Sequence, residues 1–201
     1  MSGHGSGWAN PAPAGLTALG VAGIIFYAIL SGSVTAGALP LLGCWLMGGA
    51  LVQFTVGVIE LREGALIGGN VFLFFSGFFM LAGGLEMFVK YFAAAQKWAI
   101  PLDAHIDGYA WIILTIALIF LTPCYMKTSS AVMGIVLIML TVASALVAGV
   151  DGGWMPAAPY KMVSAYLLGL VGLGGIYQAS AIWVNGTFGR TILPVGSPMI
   201  K

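Results

Sequence analysis

The chain has 201 residues, of which 60% are hydrophobic and only 6% are charged, and its formal net charge is +1. Soluble domains carry about 25% charged residues, and nucleic-acid-binding proteins present a basic surface. The composition and the mean hydropathy of +1.04 therefore exclude a nucleic-acid partner and indicate a protein whose partner is the lipid bilayer. The length suits one bundle, so we expect residues 1–201 to form a single transmembrane domain.

The chain begins with small and polar residues. Residues 1–7 include His4 but no basic n-region of the kind that opens a secretory signal peptide. We therefore expect no cleavage here, and we expect the first apolar segment to remain in the mature protein.

Apolar segments and the turns between them define the fold class. A helix needs about 20 apolar residues to cross the hydrocarbon layer, and turn residues such as Ser31-Gly32-Ser33 and Asp151-Gly152-Gly153 separate segments of about that length. The pattern predicts an all-α membrane protein with six transmembrane helices in one bundle, at 15–30, 39–61, 66–89, 109–125, 130–150 and 162–184.

The basic residues between the spans bear on orientation. Six spans place both termini on one side of the membrane. If that side is the cytoplasm, four basic residues lie inside (Arg62, Lys127, Arg190, Lys201) and three outside (Lys90, Lys97, Lys161). This distribution follows the positive-inside rule and predicts cytoplasmic termini.

Asn10-Pro11-Ala12-Pro13 stands at the start of the first span, followed by Gly15 and Leu16. Asn is a favoured N-cap, and proline fits a first turn, where no backbone N–H is needed. On one interpretation, the segment only begins a helix. On another, the free N–H groups of that helix start receive an anion, because a helix N-terminus carries a partial positive charge.

The second span carries a polar face. Gly49, Gln53, Gly57 and Glu60 are spaced by four, four and three residues, so they share one side of the helix. A buried amide at membrane depth needs a partner, so Gln53 is expected to face the bundle, either in an interhelical hydrogen bond or on a substrate pathway. Glu60, near the end of the span, is a candidate proton relay.

The third and sixth spans have distinctive compositions. In the third, Phe72, Phe75 and Phe79 share one face, while Phe74 and Phe78 share another. In the sixth, Gly172-Leu173-Gly174-Gly175 weakens the helix, so we expect another backbone or a substrate to approach it closely. Glu86 and Lys90, four residues apart, are expected to form a surface pair near the outer interface.

Three stretches together resemble the acetate uptake transporter family, the succinate-acetate permeases. They are Asn10 to Leu16, which departs from the family motif only at Ala14, the connection Glu60 to Gly69, and Phe188 to Pro194 at the end of the last helix. The resemblance covers nearly the whole chain. It implies transport of acetate and related carboxylates such as succinate, a plasma-membrane location, cytoplasmic termini and a homohexamer with one pathway in each protomer.

The resemblance also implies an apolar constriction. By alignment with the family, it is formed by Leu19, Phe75 and Leu140, where Leu19 replaces the usual Phe and Phe75 stands where many members carry Tyr. Gly175 aligns with a small-residue position that is linked to substrate size. The implied pathway therefore comprises Asn10, Pro11, Ala12, Pro13, Gly15, Leu16, Gln53 and Gly175 around that constriction, with protons as a possible second partner through Glu60.

Other functional classes fit the residues less well. No His or Asp cluster lies within the spans and His105 falls in a loop, so we predict no metal, no cofactor and no enzyme activity. Asn-Pro-Ala also occurs in aquaporins, but twice, whereas here it occurs once. A passive channel for an anion or a small neutral solute remains the alternative, because the same residues would serve it.

Overall fold

The secondary structure consists of long helices. A computed structural model of the chain describes residues 7–201, so His4 lies outside the described residues. Within that range there are six helices long and apolar enough to cross a membrane: α1 (Ala12–Leu30), α2 (Leu39–Arg62), α3 (Leu66–Gln96), α4 (His105–Thr128), α5 (Ala131–Asp151) and α6 (Ala157–Phe188). The predicted all-α fold with six membrane-length helices is confirmed.

Three helices extend well beyond the predicted spans, and one of them, α4, covers 105–128 instead of 109–125. α3 continues to Gln96, where the apolar pattern predicted an end near Val89, and α6 covers 157–188 instead of 162–184. The hydropathy pattern predicts only the apolar part of a helix and therefore ends before the helix does. The backbone hydrogen bonds continue through polar residues such as Lys90 and Asn185.

The middle of α3 departs from α-helical geometry. Residues Leu66–Phe74 and Ala82–Gln96 are α-helical, whereas Phe75–Leu81 between them form a π-helix. The hydroxyl of Ser76 in this segment donates to the Ala50 carbonyl oxygen of α2 at 2.9 Å. π-helical turns are rare and frequent at functional sites, and nothing in the apolar pattern predicted this one.

Consecutive helices pack against each other around the bundle, except at α3 and α4. α1 packs on α2, α2 on α3, α4 on α5 and α5 on α6, and α6 closes the ring by packing extensively on α1. α3 makes only few contacts with α4. Between α4 and α5, hydroxyl groups pair at Thr115–Ser144 (2.6 Å) and Thr122–Thr141 (2.7 Å), as is typical where polar side chains join membrane helices.

Glycines allow the backbones of α1 and α6 to touch. A β-carbon at Gly23 would lie 2.5 Å from the Leu168 carbonyl oxygen and 2.7 Å from the Gly172 α-carbon. One at Gly172 would lie 2.9 Å from the Gly20 carbonyl oxygen. The close backbone approach predicted for the glycine-rich part of the last span is therefore confirmed, and its partner is the first span.

We expect Gly23→Ala to destabilise the bundle by about 1–3 kcal/mol, the usual cost of forcing extra volume into a tight contact. Unfolding in detergent, followed by circular dichroism on heating, measures the effect. Gly186→Ala is the matched control, because a β-carbon at Gly186 in α6 meets nothing within 4 Å. Equal unfolding midpoints for the two variants would contradict the importance of this contact.

Candidate functional site

Two cavities open at opposite ends of the described part of the bundle. The N-terminal cavity, of about 430 Å³, is lined by residues from the start of α1, α3 and α5 and from the end of α2, α4 and α6, among them Asn10, Leu16, Glu60, Phe72, Tyr125, Met133 and Gln178. The charged cavity, of about 500 Å³, is lined from the other ends of these helices, among others by Phe26, Phe79, Glu86, Lys90, Asp107, Leu140, Asp151 and Lys161.

An apolar layer separates the cavities. On α1, Leu16 lines the N-terminal cavity and Phe26 the charged one, and Leu19 between them lines neither. On α3, Phe75 lies in the same way between Phe72 and Phe78. At 1.5 Å of rise per residue, these intervals make the layer about 9 Å thick along α3 and about 15 Å thick along α1.

Of the three residues for which the resemblance implies a constriction, Leu19 and Phe75 lie in this layer and Leu140 lies at its edge. Their role as a constriction stays a prediction. Leu19, Phe75 and Leu140, called the neck below, are all buried and belong to one apolar core. Leu140 forms part of the floor of the charged cavity. A β-carbon at Gly175 would lie 3.3 Å from the Leu19 side chain, so a larger residue at position 175 would press on Leu19. The link between Gly175 and substrate size stays a prediction.

Aromatic rings continue from the neck into the charged cavity. Phe75 meets Phe79 edge to face with ring centres 5.6 Å apart, and Phe79 contacts both Phe26 (5.0 Å) and Trp111 (5.6 Å). Phe75 is 3% exposed and Phe78 is 68% exposed, which confirms the predicted division of the α3 phenylalanines into two faces. The π-helical segment begins at Phe75 itself.

The first turn of α1 borders the N-terminal cavity. Asn10, Ala12 and Leu16 line it, and Asn10 Oδ1 accepts a hydrogen bond from the Ala12 amide at 2.9 Å. The N-cap of α1 is therefore Pro11 and not Asn10, and no side chain caps the helix. Asn10 still occupies the Ala12 amide from the position before the cap. Pro13 and Gly15 are buried behind the cavity wall, where a β-carbon at Gly15 would lie 2.5 Å from the Phe72 ring.

Gln53 joins α2 to α1. It is 1% exposed and lies apart from the residues that line the two cavities. Its Nε2 donates to the Gly15 carbonyl oxygen at 3.0 Å, and its Oε1 is buried without a hydrogen-bond partner among the described residues. The interhelical interpretation of Gln53 therefore has a contact, and its pathway role stays a prediction.

Glu60 shares the N-terminal cavity with a tyrosine from α4. Both Glu60 and Tyr125 are buried wall residues. Both side chains lie beside Gly68, where a β-carbon would stand 2.5 Å from Glu60 Oε2 and 3.8 Å from the Tyr125 hydroxyl. Because 65 residues separate Glu60 from Tyr125 in the chain, the sequence did not predict that the two side chains lie close together.

The charged cavity brings together ionisable residues from α3, α4, α5 and α6. Lys90 forms ion pairs with Glu86, as predicted, and with Asp107 Oδ2 at 3.0 Å. Asp151 and Lys161 line the same cavity, and Asp151 interacts electrostatically with Lys90, Asp107 and Lys161. The spacing of four residues predicted the pair of Glu86 and Lys90, but as a surface pair. The sequence did not predict that this pair lines a cavity together with three further charged residues.

Asp103 shows the contrasting environment of the loop before α4. Its carboxylate is fully exposed and accepts hydrogen bonds from the ring and the amide of His105, which hold its pKa below the ordinary value. Asp103 is not among the residues that line the charged cavity.

The chain after α6 folds back over the end of the bundle that holds the N-terminal cavity. Asn185 Oδ1 accepts from the amides of Ile192 (2.7 Å) and Leu193 (2.9 Å), and its Nδ2 donates to the Leu193 carbonyl. The Met199 amide donates to the Met126 carbonyl, and the Val132 amide to the Val195 carbonyl. This tail therefore holds the α4–α5 turn, which borders the N-terminal cavity.

We expect Asn185→Ala to release the tail, because two backbone N–H groups near the surface lose their protein acceptor, and each such hydrogen bond contributes about 0.5–1.5 kcal/mol. Hydrogen–deuterium exchange at Ile192 and Leu193 should accelerate by at least about tenfold, since 1.4 kcal/mol corresponds to that factor. Asn70→Ala is the control, because the Asn70 side chain bonds only within its own helix. Unchanged exchange in Asn185→Ala would mean that other contacts hold the tail.

Comparison with known proteins identifies the fold. No protein-family model and no curated protein sequence matches the chain, but two chains of solved structures do. The bacterial acetate channel SatP superposes with a TM-score of 0.75 over 94% of this chain and 100% of that one, at 24% sequence identity. This chain therefore has the helical fold of SatP, an integral membrane architecture.

Proposed function

We propose that the protein carries acetate and related short-chain carboxylates, with succinate as a further candidate substrate, across the plasma membrane. The observation that carries this proposal is the pair of cavities at opposite ends of the bundle, separated by the neck. The fold of SatP, an acetate channel, supports acetate as the substrate. Both cavities are large enough for a molecule as small as acetate.

An apolar neck suits a small carboxylic acid. An isolated carboxylate in an apolar medium loses its hydration at high cost, whereas a protonated acid or a partly hydrated ion loses less. A hydrophobic constriction also gates by excluding water. Leu19, Phe75 and Leu140 would thus delay solute passage without binding the solute tightly.

The assembly and orientation follow the family resemblance. We propose a homohexamer with one pathway in each protomer and with both termini in the cytoplasm. Large exposed apolar side chains on α2, such as Trp45 (62% exposed) and Leu51 (74% exposed), provide surface for neighbouring protomers or lipid. On this orientation, the N-terminal cavity faces the cytoplasm and the charged cavity faces outward.

Coupling to protons distinguishes a carrier from a passive channel. Glu60 is the candidate relay, because it is a buried ionisable group in the wall of the N-terminal cavity and intramembrane carboxylates commonly serve proton pathways. A passive channel for anions or small neutral solutes is the second candidate. Two cavities with a neck between them would serve a passive channel as well as a carrier.

Uptake of labelled acetate into proteoliposomes tests the function. We expect flux above that of empty liposomes and a several-fold increase in Phe75→Ala, because removal of the ring opens the neck. Phe120→Ala, which truncates an exposed phenylalanine on α4, should match the unmodified protein. Absence of protein-dependent acetate flux would rule out the carboxylate assignment.

Uptake under an imposed inward proton gradient tests the role of Glu60. If Glu60 relays protons, Glu60→Gln should abolish accumulation above equilibrium while retaining passive equilibration. Glu63→Gln, one turn further and outside the cavity wall, serves as control. Equilibration without accumulation in the unmodified protein would instead establish a channel.

A further inference from the structure

The wall of the charged cavity carries an excess of negative charge. Its ionisable residues are three carboxylates and two ammonium groups: Glu86, Asp107, Asp151, Lys90 and Lys161. With all five ionised, one net negative charge remains. These residues come from four different helices and interact with one another in the cavity wall.

The two lysines differ in how much positive charge they can offer a solute. Lys90 already pairs with Glu86 on its own helix and with Asp107 on α4, so two carboxylates compensate its charge. Lys161 is exposed at the start of α6. It interacts with Asp151, whose negative charge offsets the positive charge of Lys161. An incoming anion therefore meets no excess of positive charge in this cavity.

The rest of the path adds no compensating cation. The neck is apolar. Among the described residues that line the N-terminal cavity, Glu60 is the ionisable acid and none is Lys or Arg. A solute crossing the bundle thus meets the net charge of the charged cavity without a positive site to offset it.

We infer that Glu86, Asp107, Asp151, Lys90 and Lys161 form a charge filter that selects monocarboxylates over dicarboxylates. This inference rests on the proposed function and ranks its candidate substrates, with acetate ahead of succinate. The physical basis is that the Coulomb energy of a solute is proportional to its charge. A dianion is therefore repelled with twice the energy of a monoanion, and its passage falls by the square of the factor.

The expected size of the effect follows from the same law. One unit charge at about 7 Å in a water-filled cavity changes the passage of a monoanion about threefold and that of a dianion about ninefold. Removing one carboxylate should raise both fluxes by these factors, and removing one ammonium group should lower them. Salt should weaken both effects, because it screens charges that water can reach.

The experiment compares labelled acetate and succinate fluxes in proteoliposomes at neutral pH, where both succinate carboxyls are ionised. Asp151→Asn should raise the acetate flux about threefold and the succinate flux about ninefold, and Lys161→Gln should lower them by the same factors. Asp103→Asn removes a carboxylate from an exposed loop position outside the cavity and should change neither flux. Unfolding midpoints of all variants establish that the fold is retained.

The relation between the two fluxes decides the outcome. Succinate factors close to the square of the acetate factors, in opposite directions for Asp151→Asn and Lys161→Gln, support the filter. Equal factors for the two substrates, no change in either, or no succinate flux even in Asp151→Asn overturn it. Absence of acetate flux in the unmodified protein overturns the proposed function itself, so the two failures are distinguishable.

Discussion

The close contact between the backbones of α1 and α6 is the constraint on which the rest of the structure depends. Lipid offers no hydrophobic drive for helices to associate, so small residues that permit close packing have to supply the contact. Gly23 on α1 and Gly172 on α6 leave no room for a β-carbon, and one at Gly20 would lie 3.3 Å from the Gly172 carbonyl oxygen. This contact closes the ring of helices, and it holds Leu19 beside Gly175. The apolar neck thus depends on packing between the first and last spans of the chain.

The two halves of α3 perform different tasks, and the π-helix between them connects these tasks. The first half packs on α2, where Gly69 approaches Leu61, and Phe72 borders the N-terminal cavity. The second half carries Glu86 and Lys90 into the wall of the charged cavity. Phe75 lies where the two geometries meet, with Ser76 bonded to the Ala50 carbonyl to hold the position. One helix therefore contributes to both cavities and to the neck. Glu86 and Lys90 of the charged cavity lie on the same helix as Phe75 of the neck.

The neck and the charged cavity impose different conditions on a solute. As the proposed constriction, the neck would exclude water and penalise any charge, because an apolar environment cannot replace hydration. The charged cavity penalises negative charge in proportion to its amount, because its carboxylates outnumber its ammonium groups. Both conditions favour a small solute with little charge, and neither requires a tight binding site. Such a path suits rapid passage more than retention.

The sequence by itself determined the fold class, because six apolar segments separated by turns have few alternatives in a membrane. In the second and third spans it also determined which residues share a face: the spacing of Gln53 and Glu60, and of Phe72, Phe75 and Phe79, fixes one side of a helix whatever its neighbours are. The tertiary structure alone decided which faces meet. Three features bring together residues far apart in the chain: the positions of Glu60 and Tyr125 beside Gly68, the bonding of Gln53 to the Gly15 carbonyl and the assembly of five charges from four helices. The π-helix at Phe75–Leu81 also became visible only in the structure, because its apolar residues would fit an α-helix equally well. Periodicity describes one helix at a time, and these features arise from the packing of several.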